Sequence, residues 1–465
     1  MTPIRQFKQQ LDAISPSFCV AKWKQVTLHL QTGHNHSCHH PTVHKIPLSE
    51  ISVNPAALHN TSFKKQQRKQ MLEGVRPAEC EYCWKVEDSH EDAISDRVWK
   101  SHDVWAQPHM QEVAALPWDA DVSPSYLEVS FSSVCNFKCS YCTPQVSSAW
   151  MDEIKQFGAY PTHDRFNDIT WYESAGQMPI PHNQHNPYVD AFWEWWPTIY
   201  RELKHFRVTG GEPLLSKDTF RVLDYIIENP NPDLDLSINS NMCVPEALLA
   251  KFIEKIKIIC NEKKVRRFKI FTSADAHGAA AEYIRNGLNY EEWKNNIQRV
   301  LDQVPECTFT IMSTYNLLSV AGYKKFLEDV VEIKNKYGGP NGRPNPLILD
   351  TPYLRYPSHQ SIFLLPNDAA EIIQEQVDFM QLHMEDKNDP ERINTGFAEW
   401  EVEKFKRILE LVKSKEEMSG RVLQSHKDFV AFVDEHDRRR GTDFKKTFPE
   451  YVSLYEYWKT TNITG

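Results

Sequence analysis

The spacing of apolar and polar residues changes along the chain at about Tyr126. From there, short apolar or alternating runs that are typical of strands are each followed by a longer stretch with helical spacing. The predicted strands cover residues 126–131, 205–209, 234–239, 268–273, 308–313 and 347–354, and the helical stretches include 217–228, 245–259, 290–303 and 320–337. Strands that alternate with helices predict an α/β fold with a parallel sheet. Six such units predict a partial (β/α)6 barrel, which is open, instead of the closed eight-unit barrel.

Helical spacing without strands follows Pro366. Two amphipathic segments carry apolar residues on one face, namely Ile372, Ile373, Val377 and Met380 in the first and Val402, Phe405, Ile408, Leu409 and Val412 in the second. The arginines at 438–440 follow acidic residues and predict a solvated helix end. The chain is therefore predicted to have three parts: a cysteine-rich domain at 1–120, the barrel at 121–365 with an insertion at about 143–203, and a C-terminal helical region at 366–465.

Composition narrows the class of protein. The 53 basic and 63 acidic residues give a net charge of −10, which disfavours a nucleic-acid partner or an anionic membrane. We find no run of about 18 apolar residues and no signal peptide, so we expect a cytoplasmic protein without a membrane partner. In that reducing compartment, clustered cysteines are expected to be metal ligands or catalytic thiols. Cys243, Cys260 and Cys307 stand apart and are expected to be small buried hydrophobic residues.

The sharpest chemical signal is the triplet Cys135, Cys139 and Cys142, which follows the first predicted strand. On a loop at the carboxyl end of a strand, three thiolates with this C-x3-C-x2-C spacing can converge on one metal cluster. A structural zinc site would require a fourth ligand. A 4Fe-4S cluster held by three thiolates instead leaves one iron open, and an open iron can bind a chelating substrate.

With aromatic Tyr141 before its last cysteine, the triplet resembles the signature of radical S-adenosylmethionine enzymes. Gly210-Gly211-Glu212-Pro213, at the end of the second predicted strand, resembles the GGEP element that holds the methionine amino group in that family. Glycines there let the backbone approach a ligand closely. The element stands about 70 residues after the triplet, in the order that the family shows.

Weaker matches continue in the same order. Ser240 and Asn241 resemble the first two residues of the family's T-N-G element, with Met242 in place of the glycine. Ser273 and Asp275 match an S-x-D element, and Arg285 with the glycine two residues later matches an R-x-G element. The resemblance implies that these residues contact the ribose and the methionine carboxylate.

The resemblance covers about residues 126–354 and implies a partial barrel with the cluster and cofactor at the carboxyl ends of the strands. It implies that the triplet holds a catalytic 4Fe-4S cluster, which an electron donor such as a flavodoxin or ferredoxin reduces. S-adenosylmethionine is then the implied cofactor, and its reductive cleavage yields a 5′-deoxyadenosyl radical that abstracts a substrate hydrogen.

Cys19, Cys38, Cys80 and Cys83 form a second group, and four thiolates suffice to ligate a whole 4Fe-4S cluster. The spacing Gly33-x4-Cys38 with a later Cys80-x2-Cys83 is similar to the SPASM and twitch auxiliary-cluster domains of the same family. The further cysteines of a full SPASM domain are missing, which implies a twitch-like domain with one auxiliary 4Fe-4S cluster. The group precedes the barrel instead of following it.

Two classes of function follow. The first is a radical enzyme that oxidises, cross-links or otherwise modifies a peptide or protein side chain, with a small-molecule dehydrogenase or modifying enzyme as the alternative. The second is a zinc-stabilised binding protein without enzymatic activity, since four histidines, His34, His36, His39 and His40, crowd around Cys38. Trp193, Trp195 and Trp196 of the insertion could line a substrate cleft or simply pack, and Asp350, Tyr353 and Arg355 could face the substrate or be structural.

Overall fold

The computed structural model describes residues 3–339, 344–415 and 420–461. The strands are β1 (Gln25–His29), β2 (His34–His36), β3 (His44–Lys45), β4 (Tyr126–Ser130), β5 (Lys138–Cys139), β6 (His205–Thr209), β7 (Asn231–Asn239), β8 (Val265–Thr272), β9 (Arg285–Asn286), β10 (Thr308–Met312) and β11 (Leu347–Asp350). The α-helices are α1 (Ile4–Ile14), α2 (Ala21–Lys24), α3 (Leu48–Ile51), α4 (Ser62–Leu72), α5 (Glu81–Glu87), α6 (Asp96–His102), α7 (Met110–Ala115), α8 (Ser148–Phe157), α9 (Ile169–Ser174), α10 (Pro187–Ile199), α11 (Lys217–Glu228), α12 (Glu246–Asn261), α13 (Gly278–Ile284), α14 (Tyr290–Gln303), α15 (Tyr323–Tyr337), α16 (Ala369–Leu382), α17 (Glu399–Lys413), α18 (Gly420–Arg440), α19 (Phe444–Thr447) and α20 (Val452–Thr460).

The predicted alternation of strands and helices is confirmed. The predicted strands correspond to β4, β6, β7, β8, β10 and β11, and the predicted helices correspond to α11, α12, α14 and α15. The fold is of the α/β class, with parallel strands and many helices.

The chain forms two compact units. The first unit comprises Met1–Ser133, Pro179–Ile238 and Lys263–Arg267, and the second comprises Val134–Met178, Asn239–Glu262 and Phe268–Gly465. The three-part domain division stays a prediction.

The sheet of the first unit has the strand order β7-β6-β4-β1-β2-β3. Strands β7, β6, β4 and β1 run parallel, while β2 and β3 are antiparallel additions at the edge. Strand β1 is absent from the sequence prediction, although it pairs along its whole length with β4, from Gln25 opposite Tyr126 to His29 opposite Ser130. The cysteine-rich N-terminal segment therefore contributes strands to this sheet.

The two faces of this sheet differ sharply in polarity. One face carries only apolar side chains on its central strands, and all are buried: Val26, Leu28, Leu127, Val129, Phe206 and Val208. Helix α10 packs on this face, with the Trp196 ring 4.8 Å from the Phe206 ring. The opposite face carries polar side chains at the registered positions Gln25, Thr27, Tyr126, Glu128, His205 and Arg207. Barrel interiors are usually filled by branched apolar residues, so this polar face is suited to a polar ligand.

In the second unit, β8 from Phe268 onward, β10 and β11 run parallel. The apolar stripe predicted for α17 is buried throughout, and α16 buries Ile373, Val377 and Met380 while Ile372 remains 40% exposed. A buried ion pair ties α15 to α17, because Lys334 Nζ donates to both carboxylate oxygens of Glu401 at 3.0 Å. The C-terminal helices thus pack as the amphipathic pattern predicts.

The solvated helix end predicted at 438–440 is wrong for two of the three arginines. The Arg438 side chain is 57% exposed, whereas those of Arg439 and Arg440 are 1% exposed. Both buried guanidiniums lie near Glu153 of α8, and Arg440 also lies over the Trp150 ring at 4.6 Å. The acidic partner lies almost 290 residues earlier in the chain, so the local charge pattern could not reveal it.

Among the described residues, no helix has both the length and the apolar character that crossing a membrane requires.

Candidate active site

The loop that carries the cysteine triplet is paired with the Arg285 segment in the second unit. Strands β5 and β9 are antiparallel, with Cys139 opposite Arg285, and Ser140 N donates to Ile284 O at 2.7 Å. Gly287 has φ +111°, and a Cβ there would lie 2.8 Å from both Asn136 O and Phe137 Cδ1. The glycine of the R-x-G element is therefore required by close packing against the cysteine loop.

Arg285 connects a cysteine of the triplet to a buried carboxylate. Its guanidinium binds Asp275 through two hydrogen bonds, Nε to Oδ2 at 2.8 Å and Nη2 to Oδ1 at 3.0 Å. Its Nη1 lies 3.7 Å from Cys139 Sγ, and its Nη2 also donates to the Tyr141 hydroxyl. Tyr141 donates to Asp275 at 2.8 Å, and Thr314 N donates to the same carboxylate at 2.8 Å. Three predicted cofactor residues, Tyr141, Asp275 and Arg285, thus form one network with a predicted cluster ligand.

Burial raises the pKa of two thiols of this loop. Burial raises the pKa of Cys142, with its neighbours Cys139 and Cys135 adding to the effect. Burial also raises the pKa of Cys139, while the positive charge of Arg285 acts in the opposite direction. Metal binding requires deprotonated thiols, so a bound iron cluster would have to displace these protons. The donor set of three cysteines on one loop, with an arginine against one sulfur, fits an anionic cluster.

Helix α8 and the end of α18 support the backbone of the same loop. Trp150 Nε1 donates to Cys139 O at 2.8 Å, and Cys135 N donates to Ser148 Oγ at 3.1 Å. Arg440 Nη1 donates to Lys138 O at 2.8 Å. Sequence reasoning missed Arg440, because the motif occupies residues 135–142 and carries no signal for a contact 300 residues away.

The segment that resembles the T-N-G element lies next to the loop. Asn241 Nδ2 donates to Asn136 Oδ1 at 2.8 Å, and Asn241 Oδ1 accepts from Cys243 N at 2.9 Å. Met242 stands where the family has glycine, and its φ is +59°, which is the left-handed conformation that glycine adopts without strain. The turn thus keeps a glycine-like backbone with a methionine in it. Ser273 lies half-buried directly after β8.

The GGEP element lies in the first unit, directly after β6. Gly210 has φ +126°, and a Cβ on it would lie 2.6 Å from Ser130 Oγ and 2.8 Å from Ser132 O. Gly211 N donates to Ser132 O at 3.2 Å. Glu212 is buried, and its Oε1 accepts from Leu214 N at 2.9 Å, where Pro213 begins a short 3-10 helix. The first glycine is therefore already needed for packing against the end of β4.

The N-terminal cysteines converge on one cavity of the first unit. Cys19, Cys38, Cys80 and Cys83 all line this one cavity. Burial raises the pKa of both Cys80 and Cys83 to about 12. The predicted grouping of these four residues is thus present in the structure, although their spacing alone spans 65 positions. Four thiols around one cavity fit the donor set of a fully ligated cluster.

The nearby histidines contact other groups. His34 Nδ1 lies 2.9 Å from Thr32 O, His36 Nδ1 hydrogen-bonds Cys38 O, and His40 Nε2 lies 2.6 Å from Asp96 Oδ2. His39 Nε2 lies 3.7 Å from Glu128 Oε1. Over the ranges that the structure describes, no three His, Cys, Asp or Glu side chains have the geometry of a site for one metal ion.

The remaining candidate residues, the tryptophans of the insertion and the residues near the last strand, contact other side chains of the protein. Trp195 and Trp196 are buried, and Trp193 donates to Asp218 at 2.8 Å beneath the Arg221 guanidinium. Asp350 forms an ion pair with Lys404, while the Arg355 guanidinium lies over the Tyr353 ring. Cys243, Cys260 and Cys307 are buried, which confirms their predicted hydrophobic environment.

Comparison with known proteins supports the interpretation of the sequence motifs. No protein-family model matches the chain. The GTP 3′,8-cyclase of Aliarcobacter butzleri is 29% identical over 135 residues, which is 28% of this chain and 30% of that protein. The GTP 3′,8-cyclase of Nautilia profundicola is 29% identical over 116 residues, 25% of this chain and 27% of that protein. These cyclases are radical S-adenosylmethionine enzymes. The matched part of the chain is therefore similar to radical S-adenosylmethionine enzymes.

The matches span less than a third of the length of these relatives. Two solved structures are also similar. Native anSMEcpe with bound AdoMet has a TM-score of 0.28 and 15% identity, covering 54% of this chain and 58% of that chain. Streptococcus suis SuiB bound to S-adenosylmethionine has a TM-score of 0.34 and 14% identity, covering 79% of this chain and 70% of that chain.

Proposed function

We propose that this protein cleaves S-adenosylmethionine reductively and modifies a peptide or protein side chain by radical hydrogen abstraction. The observation that carries the proposal is the cysteine loop paired with Arg285, whose guanidinium lies 3.7 Å from Cys139 Sγ and is held by buried Asp275. Three thiolates leave one iron of a 4Fe-4S cluster open for the cofactor. When bound there, S-adenosylmethionine supplies the 5′-deoxyadenosyl radical that takes hydrogen from the substrate.

The roles of individual residues follow from their surroundings. The catalytic cluster would be held by Cys135, Cys139 and Cys142. Arg285 would place a positive charge beside the sulfur of Cys139. Asp275 accepts both hydrogen bonds from the guanidinium, so it fixes the position of Arg285. By their resemblance to the family's motifs, the GGEP element, Asn241 and Ser273 would each contact the cofactor.

The polar face of the first unit's sheet supports a polar substrate. Glu128 is buried on it and accepts from the Tyr126 hydroxyl at 2.6 Å, while Arg207 on the neighbouring strand lies 3.8 Å from the same carboxylate. Four buried polar atoms on this face have no hydrogen-bond partner among the described residues: Gln25 Oε1, Thr27 Oγ1, Ser130 Oγ and His205 Nε2. Buried polar atoms are nearly always satisfied in proteins, so these atoms favour a bound polar group.

The auxiliary-cluster pattern favours a peptide or protein substrate, because radical enzymes with this accessory domain usually modify peptides. A small-molecule substrate is the second candidate, and the GTP 3′,8-cyclases favour it, since their name gives a nucleotide as substrate. In either case Cys19, Cys38, Cys80 and Cys83 would hold the auxiliary cluster, and a flavodoxin or ferredoxin would supply electrons. A purely zinc-stabilised binding protein would lack iron altogether.

The test is formation of 5′-deoxyadenosine by anaerobically reconstituted protein with dithionite and S-adenosylmethionine. Replacing Cys135, Cys139 and Cys142 together with Ala should abolish it, because no cluster with an open iron can form. The matched control is Cys260→Ala with Cys307→Ala, which removes two buried cysteines outside the site and should retain it. Equal 5′-deoxyadenosine from the triple variant would overturn the proposal.

The substrate class is tested by deuterium transfer into 5′-deoxyadenosine. A digest of perdeuterated cellular protein should label the product if the substrate is a peptide. Label from deuterated nucleotides, and none from the digest, would instead establish the small-molecule alternative. The auxiliary site is tested by iron content, which should fall from about eight to about four irons in Cys80→Ala with Cys83→Ala.

A further inference from the structure

Lys22 lines the cavity of the N-terminal cysteines, and two further buried cations, Lys64 and Arg68, lie next to the backbone of the Lys22 to Gln25 segment. Lys22 is 2% exposed and lines the cavity, and Lys64 and Arg68 of α4 are fully buried. Met71, on the same face of α4, also lines the cavity. Residues 64, 68 and 71 follow helical spacing, so Lys64 and Arg68 lie on the same face of α4 as Met71, which lines the cavity.

Two of these cations, Lys64 and Arg68, form no direct ion pair with a carboxylate in the part of the chain that the structure describes, and only the more distant carboxylate charges of Glu79 and Asp121 act on them. Lys64 Nζ donates to Gln25 O at 3.2 Å and lies 2.8 Å from His59 Nδ1. Arg68 donates to neutral oxygens, namely Lys22 O at 3.3 Å, Asn60 Oδ1 at 2.9 Å and Ala120 O at 3.3 Å. Its Nη2 also lies 3.2 Å from His59 Nε2. Only Lys22 has an ion-pair partner, Glu79.

Buried charges without an opposite charge are costly, and proteins usually pair them. Burial lowers the pKa of Lys64 well below its ordinary value, and it lowers the pKa of Arg68 to about 9. A group of negative charge in the cavity would supply the missing counter-charge, and a 4Fe-4S cluster with four thiolates is such a group.

We propose that Lys22, Lys64 and Arg68 raise the reduction potential of an auxiliary cluster bound by Cys19, Cys38, Cys80 and Cys83. The inference rests on the proposed function, which places a cluster at these cysteines. Reduction adds one negative charge to the cluster, and buried cations stabilise the reduced form more than the oxidised form. The cluster would thereby accept one electron from the substrate radical, which releases one proton to solvent and leaves a closed-shell product. A one-electron carrier of the ferredoxin or flavodoxin class would then reoxidise the cluster.

A second role for these cations is purely structural. Arg68 and Lys64 donate to Lys22 O and Gln25 O, which lie at the carbonyl end of α2. Side-chain donors at that end satisfy carbonyl groups that have no partner within the helix. If this were their only role, replacing Lys64 would change stability and leave the reduction potential of the cluster unaltered.

The experiment is a redox titration of reconstituted holoenzyme, with the reduced auxiliary cluster followed by electron paramagnetic resonance. Added S-adenosylmethionine perturbs only the cluster with an open iron, which separates the two signals. At the potential that half-reduces the wild-type auxiliary cluster, Lys64→Met should raise the oxidised-to-reduced ratio at least tenfold, which is about 59 mV for one electron. Lys64→Arg keeps the charge and should restore the wild-type ratio.

The matched control is Lys69→Met, which removes the same charge from the same helix at a side chain that is 42% exposed. It should change the ratio less than twofold, because solvent screens an exposed charge. If Lys64→Met loses the cluster, Lys22→Gln serves as the second variant with the same expected direction. An unaltered ratio in a variant that retains its iron, or an equal change in Lys69→Met, would overturn the inference.

Metal content separates this inference from the proposed function. Zinc, or no metal, at the four cysteines would overturn both the auxiliary cluster and the role of the cations. Continued 5′-deoxyadenosine formation by the same protein would leave the three-cysteine site and its chemistry standing.

Discussion

Removing the Arg285 guanidinium should destabilise the second unit around the cysteine loop. The Arg285→Met substitution leaves the Asp275 carboxylate in place, and this side chain is fully buried. Among the donors of the described residues, the carboxylate then retains Tyr141 Oη and Thr314 N. Breaking a buried ion pair by removing one partner costs about 3–5 kcal/mol. Because two donors remain, we expect about 3 kcal/mol, the lower end of that range.

This loss should appear as a shift in urea sensitivity. With a urea dependence of about 3 kcal/mol per molar, a loss of about 3 kcal/mol lowers the midpoint by about 1 M. The free energy belongs to one unit of a chain with two, so the assay should be local. Hydrogen exchange measured by mass spectrometry at increasing urea concentrations, on peptides that cover residues 134–143 and 284–290, reports opening of the paired segments.

The control variant combines Arg285→Met with Asp275→Asn. The second change removes the orphaned charge, so the double variant should be more stable than Arg285→Met alone, with a coupling free energy of about 1–3 kcal/mol. Arg285→Lys should fall between wild type and Arg285→Met, since an ammonium cannot make the bidentate contact. A midpoint for Arg285→Met equal to that of the wild type would refute the reasoning.

Three further predictions concern the support of the cysteine loop. Arg440→Met should lower the melting temperature of the apoprotein by several degrees, whereas Arg438→Met, at the exposed neighbour, should lower it by about one degree or less. Gly287→Ala should reduce iron at the three-cysteine site in reconstituted protein, because its Cβ would collide with the loop; unaltered iron content would contradict this. Although burial opposes ionisation, Arg440 holds the pKa of Glu153 at about 2, below the ordinary 4.5. Its stabilisation is therefore present above pH 4.5 and lost as the pH falls toward 2, and Glu153→Gln should reduce this acid-dependent decrease in melting temperature.

The strands and helices of the α/β region could be predicted because each has its own local signal. Runs such as Leu347–Asp350 are apolar over a few residues and are followed or preceded by helical spacing. Strand β1 has a similar alternation, with Val26 and Leu28 buried on one side. Strand β1 was not predicted, because its partner β4 lies about 100 residues later and the intervening segment does not alternate between strands and helices.

Residues of the candidate site that belong to local motifs could likewise be predicted, whereas those placed by packing between distant helices could not. The positions of Cys135, Cys139 and Cys142 follow from spacing, and Arg285 follows from a short motif. The ion-pair network of Arg440 could not be predicted, since its burial depends on how α18 packs against α8. Nor did the charge pattern distinguish exposed Arg438 from its buried neighbours, because helical phase relative to the core decides which of three adjacent arginines is exposed.

The two-residue ladder between β5 and β9 restricts where this chain can change length during evolution. A single inserted residue in either strand would turn the side chain of Cys139 or Arg285 to the opposite side of the ladder. Homologues that keep both residues should therefore carry their insertions and deletions outside these two dipeptides, in the loops that connect the other strands and helices. Distant homologues could thus be recognised by two gap-free dipeptides at a variable separation.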